Sequence, residues 1–86
     1  MPEISRFLGI VIYMYFNEHN PPHFHAKYNE YIASVDINNF GVLEGKLPSK
    51  VLGLVVEWAE NNQKELLKNW KTIEKTGEFQ KIKPLV

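Results

Sequence analysis

His19-Asn20-Pro21-Pro22-His23-Phe24-His25 holds all three histidines of the chain within seven residues. Imidazole is the side chain best suited to proton transfer near neutral pH and to binding borderline metals. Three kinds of chemistry fit the spacing. In the first, His23 and His25 project from one face of a strand, roughly 7 Å apart along it. His19 folds back from the preceding loop, and Asp36 serves as a ligand or as the group that fixes a ring tautomer. Three imidazoles with an open fourth position suit zinc, nickel or copper. His23-x-His25 followed by Glu30 is also similar to the first metal motif of cupin barrels. The flanking glycines and second motif of that fold are missing, and the chain is too short for it.

In the second, His23 and His25, with Asp36, do metal-free acid–base work, one ring accepting a proton while the other donates. Such a pair can cleave RNA by activating the ribose 2′-OH. Arg6 and Lys27 are then candidate phosphate contacts, and Tyr13 and Tyr15 candidate platforms for base stacking. In the third, the histidines only order a loop, with ring N–H groups bonded to carbonyls or to Asp36, and the domain binds a partner. Tyr13 and Tyr15 then cover an open sheet face, Trp58 and Trp70 belong to the core, and Glu57 and Glu60 lie on a solvated helix face.

The residues that must position this stretch follow from periodicity. Phe7 to Phe16 reads as a central strand, with Ile10, Ile12, Met14 and Phe16 on one side and Val11, Tyr13 and Tyr15 on the other. Asn17 to Asn20 is a polar connection, and Pro21-Pro22 stiffens its exit. His23–Tyr28 and Tyr31–Ile37 form a hairpin about the turn Asn29-Glu30. Counting outward from that turn sets His23 opposite Asp36, His25 opposite Ser34 and Phe24 opposite Val35. Phe24, Ala26, Tyr28, Tyr31, Ala33, Val35 and Ile37 then share an apolar face; His23, His25, Lys27, Ile32, Ser34 and Asp36 share the other. A slip by one residue would mix the two sets. Asn38 to Gly41 is a turn with Gly41 in the left-handed position, and Val42–Leu47 is a short strand bent at Gly45.

Pro48 opens a helix over 48–60, where Gly53 offers a close approach for a strand. A second helix over 62–75 is expected to be capped by Asn62 with Glu65, to bury Leu66, Leu67, Trp70 and Ile73, and to end at Gly77. Phe79 to Val86 is an extended tail, held to a sheet edge by Pro84. The expected fold is α+β: an antiparallel sheet of about four strands followed by two C-terminal helices packed on one face, a single domain over residues 1–86.

Composition narrows the functional classes. Net charge is zero, from ten basic and ten acidic residues. Residues 1–47 carry three basic against five acidic side chains, and residues 48–86 carry seven lysines against five glutamates. That lacks the basic footprint of a dedicated nucleic-acid binder. With no cysteine, disulfides and thiolate metal sites are excluded and a reducing, cytoplasmic compartment is expected. Met1-Pro2-Glu3 opens acidic, so no secretory leader is expected, and the run Phe7–Phe16 is too short for a membrane helix. The thin core of so short a chain and its many aromatics point to self-association or a protein partner.

The chain resembles a family of small bacterial proteins known as domain-of-unknown-function family 4160. Ile4-Ser5-Arg6-Phe7, Gly9-Ile10, Met14-Tyr15-Phe16 and Pro21-Pro22-His23-Phe24-His25-Ala26 are similar to its opening. Val42-Leu43-Glu44-Gly45, Leu47-Pro48, Glu57-Trp58, Glu65-Leu66-Leu67-Lys68-Asn69-Trp70, Ile82 and Pro84-Leu85 are similar to the remainder. Asn29 stands where the family is expected to have glycine, a change the turn absorbs. The family has no established activity. The resemblance implies genes often set beside another small gene, hence a toxin–antitoxin-like pair.

Overall fold

A computed structural model describes residues 2–16 and 19–86. Five strands come first: β1 (Glu3–Phe7), β2 (Ile10–Tyr13), β3 (His23–Tyr28), β4 (Tyr31–Asp36) and β5 (Val42–Gly45). Helices α1 (Ser49–Asn61) and α2 (Gln63–Thr76) follow. The strands form one antiparallel sheet in chain order, β1-β2-β3-β4-β5. The α+β arrangement is the one the periodicity predicts, with one strand more.

The additional strand, β1, forms mostly from residues ahead of the expected strand Phe7–Phe16, of which it takes only Phe7, and the expected strand is shortened to β2. Leu8 and Gly9, both at positive φ (51° and 78°), turn the chain between β1 and β2. Leucine rarely adopts this conformation, which costs about 1–2 kcal/mol, so it carries no turn signal. A register shift between Glu3 and Ser5 then brings both Ile4 and Ser5 inside. The Ser5 hydroxyl is buried without a hydrogen-bond partner among the described residues.

The β3–β4 hairpin has the predicted register at all six pairs, from Tyr28–Tyr31 to His23–Asp36. Asn29 supplies the positive φ of its turn. Phe24, Ala26, Ala33, Val35 and Ile37 are buried together with Ile10, Ile12 and Met14. Val51, Val55, Trp58, Ala59, Leu66, Trp70 and Ile73 of the helices close the same core. Trp58, fully buried, packs on Phe7 (ring centroids 5.6 Å apart) and edge-on against Phe24 (5.8 Å).

Four local expectations are corrected. The left-handed residue of the β4–β5 turn is Phe40 (φ 62°), not Gly41; Gly41 donates its N–H to Asn39 Oδ1 at 2.8 Å instead. β5 ends at Gly45, whose positive φ and tight packing against the Ile32 carbonyl leave no room for a Cβ. Asn62 makes no side-chain cap on α2; its Nδ2 donates back to the Trp58 carbonyl at 2.8 Å, closing the end of α1. Gly53 faces open space, with no close neighbour.

Gly77 ends α2 in a left-handed cap, its N–H on the Ile73 carbonyl at 2.9 Å. The tail then runs beside β1. Ile82 is buried and donates its N–H to the Ile4 carbonyl (2.9 Å), while Lys83 O accepts from Trp58 Nε1 (2.9 Å). Buried Asn69 holds both backbone groups of Gln80, accepting from its N–H at 2.9 Å and donating to its carbonyl at 2.8 Å. The β1 edge is thereby partly covered, whereas every residue of β5 is exposed. No described helix is long and apolar enough to cross a membrane.

Candidate functional site on the open sheet face

One row of partners crosses the sheet through the histidine stretch: Glu3, Tyr13, His25, Ser34 and Glu44, one residue from each strand. Residues directly opposite in a ladder share a face, so this row lies on the side away from the core. The His25 ring stacks on Tyr13 (centroids 5.2 Å apart, planes 12° apart) and meets Tyr15 edge-on at 4.9 Å. Its Nδ1 lies 3.2 Å from Ser34 Oγ. Tyr13 is only 3% exposed beneath these rings. Burial pushes its phenol up from the usual value, and the adjacent Tyr15 adds to the shift.

His23 lies beside His25, ring centroids 5.3 Å apart at 75°. Its other face meets Trp70 of α2 at 5.1 Å. His23 Nδ1 is 2.7 Å from the Pro21 carbonyl. A carbonyl can only accept, so Nδ1 carries the hydrogen of that bond. The Asn20–Pro21 peptide before it is cis. Local sequence explains this placement: two prolines fix the entry to β3, and strand alternation then aims His23 and His25 the same way, with Phe24 inward.

The structure thus brings together His23, His25, Tyr13 and Tyr15. It leaves His19 exposed, without a hydrogen bond or ring contact among the described residues. Asp36 is opposite His23, yet its buried carboxylate works in the turn, accepting from Asn38 N–H at 2.7 Å and Asn39 N–H at 3.3 Å. Arg6 pairs with Glu3 at 2.8 Å, and Lys27 is exposed on the next row. His23 and His25 offer two metal donors; no group of three or more His, Asp or Glu side chains able to hold a metal occurs among the described residues. The expected connection over Asn17 and Glu18 lies outside the described residues.

Two members of the site carry no sequence signal. Trp70 is both a core side chain, 7% exposed, and a neighbour of His23; only the tertiary fold brings α2 there. Glu44 reaches the row through a register shift between Ser34 and Val35, which counting along the chain does not anticipate. Between the strands a cavity of ≈ 370 Å³ is lined by Tyr13, Tyr15, His25, Ile32, Ser34 and Glu44.

The fold and this face define a class: a small two-layer α+β domain with helices over one side of a meander sheet and an aromatic–imidazole row on the other. The family described as "Domain of unknown function (DUF4160)" matches residues 9–71. The chain belongs to that family. No curated protein and no solved structure matches it.

Proposed function

We propose that this protein is a binding module that receives a polypeptide partner along β5 and the adjoining open sheet face, as one member of a toxin–antitoxin-like pair. The observation that carries the reading is the asymmetry of the two sheet edges. The tail bonds to Ile4 and blunts the β1 edge. Among the described residues strand β5 has no neighbour beyond β4; its Val42 (41%) and Leu43 (47%) are exposed, as is Ile32 (46%) of β4. An unpaired edge with apolar side chains is a template for an added strand, in which backbone hydrogen bonds give affinity and alternate side chains give selectivity.

The test is co-expression with the product of the adjacent gene. The two chains should co-purify as a complex, and Leu43→Lys, a charged substitution on an exposed strand, should abolish it while leaving the fold intact. Failure of the chains to associate, or an undisturbed complex with Leu43→Lys, would overturn the reading.

The imidazole pair supports a second reading. Of two rings 5.3 Å apart, one can take the proton of a ribose 2′-OH as its oxygen attacks the adjacent phosphorus, while the other gives a proton to the 5′ oxygen that leaves as the P–O bond breaks. RNA cleavage that disappears in both His23→Ala and His25→Ala, each still folded, would establish it; cleavage equal in wild type and variants would end it.

A further inference from the structure

The cavity on the open face joins three aromatic rings to one carboxylate. Tyr13, Tyr15 and His25 form its aromatic wall, with mutual centroid distances of 4.9–5.4 Å. Ile32 and Ser34 form the floor towards β5, and Glu44 stands at the rim on the exposed edge strand. Glu44 takes part in no ion pair among the described residues. Lys27, one row along, does not line the cavity. Among the described residues the site therefore offers a negative charge without a paired cation, in a cavity that also has aromatic rings on its wall.

From this we infer that the cavity recognises an arginine side chain of the polypeptide that adds to β5. The inference rests on the edge reading above and specifies its selectivity. A strand added to β5 would lie about 4.8 Å away, with every second side chain on the open face. One of those side chains falls beside Glu44. A guanidinium there is attracted by the carboxylate, can bond both of its oxygens, and points into the cavity over Ile32 and Ser34, whose far wall is Tyr15 and His25. An ammonium gains the charge but not the planar two-point pairing. A carboxylate at that position meets like charge. Ring stacking without charge would also accept a nucleobase, but it would leave the Glu44 carboxylate uncompensated.

The probes are acetylated, amidated pentapeptides alternating valine and threonine about a central arginine, with citrulline and lysine versions of the same peptide. Citrulline keeps the shape and removes the charge. Binding is followed by amide chemical shifts of the full chain. The arginine peptide should shift β5 and the cavity residues, and should bind roughly five- to tenfold more tightly than the citrulline peptide. The lysine peptide should fall between them. Glu44→Gln, at an exposed position, should bring the arginine peptide to the citrulline level without altering the remaining spectrum. Equal binding of arginine and citrulline, or no effect of Glu44→Gln, would overturn the inference. So would shifts confined to residues away from the cavity, or no binding of the arginine peptide at all. Under any of these, retention of the complex with the adjacent-gene product would still uphold the edge reading; loss of that complex would end the edge reading separately.

Discussion

Phe24 and His25 are consecutive, yet one belongs to the scaffold and the other to the open face, so the pair of substitutions Phe24→Ala and His25→Ala separates the two roles. Phe24 is fully buried and its ring meets Trp58 edge-on. Removing it forfeits its transfer free energy and leaves a cavity, about 3–5 kcal/mol. Stability of roughly 0.05–0.15 kcal/mol per residue gives a chain of this length only about 4–13 kcal/mol in total. The loss is therefore comparable with the lower end of that range. At about 4–8 °C per kcal/mol the melting temperature should fall by roughly 12 °C or more. His25 is half-buried, stacked on Tyr13 and bonded to Ser34. Among the described residues its loss forfeits the hydrogen bond to Ser34, about 0.5–1.5 kcal/mol, and the stacked contact with Tyr13, of similar size, while water partly replaces the edge contacts with Tyr15 and His23. A total near 1–2 kcal/mol should lower the melting temperature by about 5–15 °C and leave a cooperative transition. Urea denaturation, with the slope checked for two-state behaviour, gives both numbers. If His25→Ala proves as damaging as Phe24→Ala, the histidine row is part of the core and its reading as an available surface is wrong.

Three further outcomes follow from named contacts. Asn69→Ala strips both backbone partners from Gln80 and should cost about 2–3 kcal/mol, with amide exchange accelerated in the tail from Gln80 onward; an unchanged tail would show that Ile82 and Trp58 suffice to hold it. Gly45→Ala must push its new Cβ against the Ile32 carbonyl at a positive φ, so it should weaken the β4–β5 ladder specifically, visible as loss of protection in β5 alone. Ultraviolet titration should find the Tyr13 phenol ionising above its usual 10.0. Because the folded state holds that proton more tightly, its contribution is fully present below about pH 10 and is lost as pH rises through the raised folded value; Tyr13→Phe should remove that alkaline loss.

The hairpin was readable because polar and apolar residues alternate on both sides of Asn29-Glu30, with Ile32 the one apolar residue on the polar face, and a two-residue turn permits only one register. Phe24 inward and His25 outward follow from that alone. The β1–β2 turn was missed: Leu8 adopts a conformation that its side chain disfavours, so Gly9 was the sole turn signal in an otherwise apolar run and was absorbed into the strand. The same holds for Phe40, where the glycine beside it attracts the left-handed assignment. Helix limits were legible to about one residue from Pro48, Asn62 and Gly77, but the role of Asn62 was not, because its side chain can serve either helix and burial decides which. At the site, the convergence of His23 with His25 was legible from strand alternation. The contact with Trp70 and the approach of Glu44 depend on helix docking and on a bulge, neither of which leaves a local pattern.

The most direct test of a polypeptide site at the open edge is hydrogen exchange of the β5 backbone in the presence and absence of the polypeptide partner proposed for it. A strand paired to β5 gives its outward amides hydrogen-bond partners, so exchange across Val42–Gly45 should slow strongly in the complex, while β1, already partly covered by the tail, should change little. A complex that forms with β5 exchanging as fast as in the free protein would contradict the account.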